Sequence, residues 1–181
     1  MTIADVDAIF ALFDRFGDEE YGEAVTQREH ALQVAYFARE AGEDDTLVAA
    51  ALLHDVGQLL DGAGAVAERE DRNARHEIGG ANLLKGLFGE EILAPIRLHV
   101  AAKRYLCAVE PGYLDALSAA SALSLSLQGG PFSARQAERF GRLPYAQEAI
   151  RLRRYDDLGK EVDLVVPALD TYRDMIETLS L

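Results

Sequence analysis

The sequence has little of what would place it in an oxidising compartment, a membrane or a nucleic-acid complex. Its single cysteine, Cys107, cannot form an internal disulfide, which indicates a reducing compartment. Residues 1–13 lack the basic start of a secretory signal, and no apolar run approaches the roughly 20 residues that a membrane span needs. Lys and Arg number 18 against 31 Asp and Glu, and the net charge of -13 would repel phosphate backbones. We expect a cytoplasmic protein that binds neither nucleic acid nor membrane.

Apolar residues recur at helical spacing along most of the chain. Thr26 is a predicted N-cap, because Glu29 follows it at the spacing of a capping box, and the helix after it runs to about Ala41. Another helix is predicted to be capped by Asp45 or Thr46 and to run through "LVAAALLHDVG", whose alanines favour helix over strand. Further helices are predicted at 3–16, 76–87, 90–106, 113–127, 133–141, 144–155 and 170–180.

Two segments depart from this helical pattern. Residues 61–75 are small and charged and are predicted to form a loop. The stretch "VDLVV" (162–166) has strand-forming residues before Pro167 and is the one candidate strand. Because helical segments outweigh both, we predict an all-α fold, and the length favours a single domain over residues 1–181.

Two ionisable side chains, His54 and Asp55, end an otherwise apolar run at 47–53. A buried, unpaired carboxylate would cost on the order of several kcal/mol, whereas coordination of a cation would satisfy it. Imidazole and carboxylate ligands together suit iron, manganese and zinc. All four histidines of the chain fall on a predicted helix or at its edge: His30, His54, His76 and His99. A histidine at a helix end is also typical of a cap or a surface position, so the apolar run before His54 is the stronger indication of a metal site.

The order of these residues resembles the H…HD…D pattern of the HD-domain superfamily, whose members are all-α, bind metal and are mostly phosphohydrolases. The resemblance implies an HD-domain helical bundle. It also implies that His30, His54, Asp55 and a late Asp hold one metal, while Asp55, His76 and His99 hold a second.

The late Asp is Asp156 or Asp157, in "RRYDDLGK". In the related pattern the Asp follows an aromatic residue and precedes a short segment that ends in Gly-Lys. That comparison selects Asp156, which follows Tyr155, and leaves Asp157 as the alternative.

Longer stretches resemble the PhnZ-type branch of HD-domain oxygenases: "GEAVTQREHALQVAYFA", "HVAAKRYL", "LQGGP" and "GKEVDLVVP", within residues 22–167. This resemblance implies two iron ions in a mixed-valent Fe(II)/Fe(III) state. It implies that O2 is the co-substrate and that the carbon–phosphorus bond of a small-molecule organophosphonate is cleaved.

The same resemblance implies phosphonate contacts from Lys103, Arg153, Ser121 and Gln128. Lys103 lies four residues after His99, so a helix would place both side chains on one face. Arg153 lies three residues before the selected Asp, although its neighbour Arg154 is an alternative that the sequence does not separate from it.

The stretch "EEYGE" is suited to a cationic nitrogen on the substrate, although it could also be a solvated acidic loop. By resemblance Glu23 meets the amine, and Tyr21 offers an aromatic face to a quaternary ammonium. Relatives that act on a primary amine have Tyr three residues before that Glu, whereas here Glu20 occupies the position. The substrate is therefore expected to be 1-hydroxy-2-(trimethylamino)ethylphosphonate or its primary-amine counterpart, which would give phosphate and glycine betaine or glycine.

Two other functions use the same ligand set. An HD-domain phosphohydrolase would use a metal-activated water on a nucleotide or phosphate ester, and a non-catalytic module would bind metal only. The sequence specifies no oligomeric state.

Overall fold

A computed structural model describes residues 2–21, 24–60 and 75–181, and these residues form a bundle of helices. The α-helices are α1 Val6–Phe16, α2 Gln27–Glu40, α3 Asp45–Leu53, α4 His76–Leu84, α5 Glu90–Val109, α6 Ala119–Leu127, α7 Ala134–Gly141, α8 Ala146–Leu158 and α9 Arg173–Leu179. Two short 3-10 helices cover Val56–Leu59 and Leu169–Tyr172. The described ranges contain isolated β-bridges but no strand, so the predicted all-α fold is confirmed.

The central helix is α3, in which every residue from Leu47 to Leu53 is buried. A helix that is apolar all round can be stable in water only inside a core. Helices α2, α5 and α8 pack around α3, and α5 also packs along α8. These helices enclose the end of α3, where His54 and Asp55 lie.

The start of α2 is fixed by the predicted capping box. Thr26 Oγ1 accepts a hydrogen bond from the Glu29 backbone N–H at 3.2 Å, and Glu29 Oε2 accepts from the Thr26 N–H at 2.7 Å. The box satisfies two N–H groups that a helix start leaves unpaired. It therefore fixes the first turn of α2, which carries His30.

Helix α3 differs from the prediction at both ends. Asp44, rather than Asp45 or Thr46, is its N-cap and accepts from the Leu47 N–H at 2.9 Å. The helix ends at Leu53, and the backbone leaves the helical conformation at Asp55 before a 3-10 helix begins. The predicted continuation through Gly57 is wrong, because the chain turns so that the Asp55 carboxylate points inward.

Two other predicted segments differ from the structure. The helix predicted at 113–127 begins only at Ala119, because Ser118 caps it. The predicted strand at 162–166 is irregular, and Val165 is 93% exposed, since no neighbouring strand lies beside it in the described chain. Most of the predicted loop, 61–74, lies outside the described residues. None of the described helices is long and apolar enough to cross a bilayer; the predicted cytoplasmic location stays a prediction, as does the single domain over 1–181.

Two glycines bring the start of α4 against the turn that follows Asp55. A Cβ atom on Gly57 would lie 2.1 Å from the His76 carbonyl oxygen and 2.8 Å from the Gly80 nitrogen. Since real Cβ atoms cannot approach that closely, the two segments touch only because Gly57 has no side chain. This contact places His76 beside Asp55.

Replacing Gly57 with Ala should therefore force the two segments apart. We expect Gly57→Ala to lower the free energy of unfolding by about 3 kcal/mol, the size typical of overpacking. Gly79→Ala is the matched control, because a Cβ atom on Gly79 would have no other atom within 4 Å; it should be neutral or stabilising by up to about 1 kcal/mol. Denaturant unfolding measures both, and equal losses would contradict the role given to Gly57.

Candidate metal centre

Four imidazoles and two carboxylates meet at the end of α3. They come from separate elements: His30 from α2, His54 and Asp55 from the end of α3, His76 from the start of α4, His99 from α5 and Asp156 from α8. Five of the six side chains are buried, and His76 is partly exposed. In the described chain, two groups of possible metal ligands have ligand atoms within 4.8 Å of one another, and Asp55 belongs to both.

The first group consists of His30, His54 and Asp55, and Asp156 lies beside it. The Nε2 atoms of His30 and His54 lie 3.2 Å apart. Asp156 Oδ1 lies 3.5 Å from His30 Nε2, and Asp55 Oδ2 lies 3.5 Å from His54 Nε2. Asp157 instead pairs with Arg153 and accepts a hydrogen bond from a tyrosine. Asp156 is therefore the late Asp that faces the histidines.

The second group consists of Asp55, His76 and His99. Asp55 Oδ1 lies 3.1 Å from His76 Nε2 and 3.5 Å from His99 Nε2, and the two nitrogens are 3.2 Å apart. The two oxygens of Asp55 thus face opposite groups. The Asp55 carboxylate therefore lies between the two groups, where it could bind one metal ion through each oxygen.

The buried histidines are held by backbone carbonyl groups behind them. The Nδ1 atoms donate to carbonyl oxygens at 2.7 Å for His30 to Gly159, 2.8 Å for His54 to Ala51 and 2.7 Å for His99 to Ile96. A carbonyl oxygen can only accept, so the proton of each neutral ring sits on Nδ1 and the Nε2 lone pair faces the centre. Burial lowers the pKa of His30 to about 4 and that of His99 to about 3, so both rings are neutral at pH 7.

Both carboxylates remain charged despite burial. Burial opposes ionisation of Asp55, but attraction to positive charge on the His54 and His76 rings, when these carry a second proton, outweighs it and holds the Asp55 pKa well below its usual range. Burial likewise opposes ionisation of Asp156, and the Arg153 guanidinium more than offsets it, so the Asp156 pKa is also lowered. Burial lowers the pKa of His76, but attraction to the Asp55 carboxylate raises it by more, so the pKa of His76 is raised overall. A proton on His76 therefore competes with a metal ion.

These residues fit two metal ions. Asp55 Oδ1 and Asp156 Oδ1 are buried and have no hydrogen-bond partner, which is costly for an anion unless a cation meets it. If two ligand atoms each lie about 2.2 Å from one ion and subtend a right angle at it, they are about 3.1 Å apart. The paired Nε2 atoms lie 3.2 Å apart, which is close to that distance. The nitrogen and oxygen donors suit iron, manganese or zinc.

A group of cations, here termed the cationic cluster, lies beside the first turns of α6 and consists of Lys103, Arg153 and Lys160. Lys103 Nζ donates to Ser124 Oγ at 2.7 Å, and Lys160 Nζ donates to Ser121 Oγ at 2.8 Å. Both Lys103 and Arg153 are buried. The cluster adjoins the candidate metal centre, because Lys103 is one turn after His99 on α5 and Arg153 donates to Asp156.

Arg153 is held on several sides. Its Nη1 donates to Asp156 Oδ2 at 2.6 Å, its Nε donates to Tyr113 Oη at 3.1 Å, and its Nη2 pairs with Asp157. Nη2 also lies 3.5 Å from Ser121 Oγ. The neighbouring Arg154 is exposed and pairs with Glu110, so Arg153 is the one that faces the centre.

The structure places the other predicted contacts as follows. Gln128 ends α6, and its Oε1 is buried without a hydrogen-bond partner. The Tyr21 ring stacks on His30 with centroids 3.8 Å apart, and burial and the Asp55 carboxylate raise its pKa. One face of the Tyr21 ring is thus covered by the His30 ring, so a substrate ammonium would have to meet the other face. Glu23 lies outside the described residues.

Sequence reasoning missed Lys160, Ser124 and Gln58 as residues of this centre. Gln58, in "LLHDVGQ", donates from Nε2 to Asp55 Oδ2 at 2.6 Å and so orients the shared carboxylate. A side chain three residues after Asp55 in a 3-10 turn faces the same way, so its spacing was a usable signal. Lys160 follows the glycine whose carbonyl holds His30, but only the fold shows that contact.

Comparison with known proteins agrees with this geometry. A family model described as HD domain matches residues 28–116. The chain is 40% identical over 175 residues to a 1-hydroxy-2-(trimethylamino)ethylphosphonate dioxygenase (glycine-betaine-forming) of Leisingera caerulea, covering 96% of this chain and 89% of that protein. It is 39% identical over 179 residues to a hydroxymethylphosphonate dioxygenase of Gimesia maris, covering 96% and 87%. The chain belongs to the HD-domain family, in the branch that contains these phosphonate dioxygenases.

Metal content of single variants tests the shared carboxylate. After reconstitution, His76→Ala and His30→Ala should each retain about one metal equivalent, whereas Asp55→Ala should lose both, because only Asp55 serves both groups. Elemental analysis of desalted protein measures the content, and Arg154→Ala is the control that should keep both equivalents. Equal losses in Asp55→Ala and His76→Ala would contradict a bridge.

Proposed function

We propose that the protein is a diiron oxygenase that uses O2 to cleave the carbon–phosphorus bond of a 1-hydroxyphosphonate. One observation carries the proposal. Two groups of possible ligands share Asp55, and a cluster of three cations contacts this centre through the hydrogen bond from Arg153 to Asp156. A phosphonate needs both, since its hydroxyl can reach a metal while its anionic oxygens meet the cations. The names of the two relatives at 39–40% identity support the reaction class.

The metal ligands are proposed to be the residues that converge in the structure. One iron would be held by His30, His54, Asp55 and Asp156, and the other by Asp55, His76 and His99. Two iron ions, Fe(II) and Fe(III), would supply the redox chemistry that O2 requires and that zinc or magnesium lacks. The second group offers fewer protein ligands, which leaves more coordination positions for substrate and O2.

The phosphonate is proposed to bind at the cationic cluster. Lys103 and Lys160 each carry N–H donors that are directed at serine hydroxyls of α6, and a phosphonate could replace or join those partners. Ser121 accepts from Lys160 and lies near Arg153, so its hydroxyl is available to hold a phosphonate oxygen. The unpartnered Oε1 of Gln128 would accept from a substrate hydroxyl or amine.

Arg153 would have two tasks. Its ion pairs with Asp156 and Asp157 orient the Asp156 carboxylate and compensate its charge. Its remaining N–H groups face Ser121 and would meet the phosphonate. Because the ligands are nearly all buried, bulk water is kept from the reacting atoms, which disfavours hydrolysis as a side reaction.

The substrate is proposed to carry a trimethylammonium group, with glycine betaine and phosphate as products. A quaternary ammonium has no N–H to donate and is held by an aromatic face and nearby carboxylates. One face of the Tyr21 ring stacks on His30, and the Asp55 and Asp156 carboxylates add negative charge nearby. The relative at 40% identity is named for this substrate, and the one at 39% for hydroxymethylphosphonate, which has no nitrogen.

A comparison of three substrates with and without O2 tests the reaction. Iron-loaded protein should release phosphate fastest from 1-hydroxy-2-(trimethylamino)ethylphosphonate, more slowly from its primary-amine counterpart and slowest from hydroxymethylphosphonate. Release should stop without O2, and the mixed-valent EPR signal should change when substrate is added anaerobically. Phosphate release at an equal rate without O2 would instead identify a phosphohydrolase.

The pH dependence of anion binding tests the role of Lys103. Burial and the neighbouring Arg153 lower its pKa to about 8, so its ammonium loses its charge as the pH rises through that value. The affinity of the metal-free protein for inorganic phosphate should therefore fall by up to about tenfold from pH 7 to pH 9. Calorimetry measures it, and Lys103→Arg, which stays charged over this range, should not show the fall. An equal fall in both proteins would exclude Lys103 as the cause.

A further inference from the structure

A short segment after α8, Gly159 to Glu161, is held against α2 at both of its ends. At one end, His30 Nδ1 donates to the Gly159 carbonyl at 2.7 Å. At the other end, Gln33 Nε2 donates to the Glu161 carbonyl at 2.7 Å, and Gln33 Oε1 accepts from the Glu161 N–H at 2.9 Å. His30 and Gln33 are three residues apart, so they share one face of α2.

The residue between these two ends is Lys160. Its Nζ donates to Ser121 Oγ at 2.8 Å and to Ser118 Oγ at 3.3 Å. With the peptide groups on either side fixed, the direction of the Lys160 Cα–Cβ bond is fixed as well, and its Nζ reaches the two serines from that position. Gly159 lies so close to α2 that a Cβ there would be 2.4 Å from Val34 Cγ2, so the segment cannot rotate about that end.

The side chain of Gln33 is buried, and both polar atoms of its amide group form hydrogen bonds. It is 1% exposed, and its two amide atoms match the donor and acceptor of one residue's backbone. Directly after Glu161 the chain is exposed at Val162, and the packing against the core resumes at Val166. Gln33 is therefore the described contact that ties the Glu161 end of the segment to α2.

We propose that Gln33 is a positioning residue that sets the place of Lys160 in the cationic cluster. It touches neither metal nor phosphonate. It acts by holding Glu161, so that one face of α2 fixes a metal ligand, His30, and an anion ligand, Lys160, at a constant separation. The inference rests on the proposed function, which assigns the anion to the cationic cluster.

A double-mutant cycle separates positioning from general stability. The proteins are wild type, Gln33→Met, Lys160→Met and the double variant, each iron-loaded and kept anaerobic. The readout is the Kd for inorganic phosphate by calorimetry, with iron content measured on the same samples. Each single variant should weaken binding by about tenfold, the size of one lost charge-assisted contact. The double variant should be within about twofold of Lys160→Met, because Gln33 acts only through Lys160.

Three further measurements keep the inference open to refutation. Ala38→Gly, on the same helix, should lower helix stability by about 1 kcal/mol but does not hydrogen-bond Glu161, so its Kd for phosphate should be unchanged. Gln33→Glu keeps the acceptor for the Glu161 N–H and replaces Gln33→Met if that variant does not fold. Hydrogen exchange at the Glu161 N–H should accelerate in Gln33→Met and less so in Gln33→Glu.

The outcomes distinguish this inference from the proposed function. If Gln33→Met weakens phosphate binding equally with and without Lys160, or leaves the Kd unchanged, the positioning role is refuted while the anion site stands. If Lys160→Met leaves phosphate binding unchanged, Lys160 is not an anion ligand. In that case the anion site of the proposed function is refuted as drawn, and the role of Gln33 with it.

Discussion

The structure depends on one buried carboxylate, that of Asp55, which is 6% exposed and lies among four imidazoles. An uncompensated buried charge costs several kcal/mol, a large part of the roughly 5–15 kcal/mol that stabilises a domain. Gln58 binds one oxygen, and the other has no hydrogen-bond partner in the protein. Metal ions bound at this site would supply the missing compensation. Metal binding and folding of the end of α3 would then be coupled.

The surroundings of Asp55 follow from that requirement. Helix α3 stops at Leu53 so that His54 and Asp55 can point in different directions from one turn. Because Gly57 has no side chain, α4 can pack closely against the next turn, and this contact places His76 beside Asp55. Backbone carbonyls behind three of the histidines fix the ring tautomer and aim each Nε2 inward. Rigid ligands of this kind limit the movement that a metal pair can undergo on binding substrate.

The local charge pattern is opposite to that of the whole molecule. The chain carries a net charge of -13, yet Lys103, Arg153 and Lys160 meet at the metal centre. Charges in a buried site interact more strongly than those at the surface, because water screens them less. The cations balance Asp156 and Asp157 before substrate arrives and would balance a phosphonate afterwards. Under the proposed function, the same cluster would support the metal ligands and select an anionic substrate.

The sequence predicted the features that depend on local order or on a recurring motif. The capping box at Thr26 and the helical class both follow from short-range spacing, and the set of histidines with Asp55 and Asp156 follows from the resemblance. Contacts between distant residues were not predictable. Gln33 meets Glu161 across 128 positions, and such pairings exist only once the helices have packed. The strand predicted at 162–166 failed because strand preference requires a neighbouring strand, which this segment lacks in the described chain.

Anomalous diffraction at the iron absorption edge, from crystals of the iron-loaded protein, tests the shared carboxylate most directly. We expect two iron peaks on opposite sides of Asp55, one beside His30, His54 and Asp156 and the other beside His76 and His99. A single peak, or two peaks of which one is not bound by Asp55, would contradict the bridge.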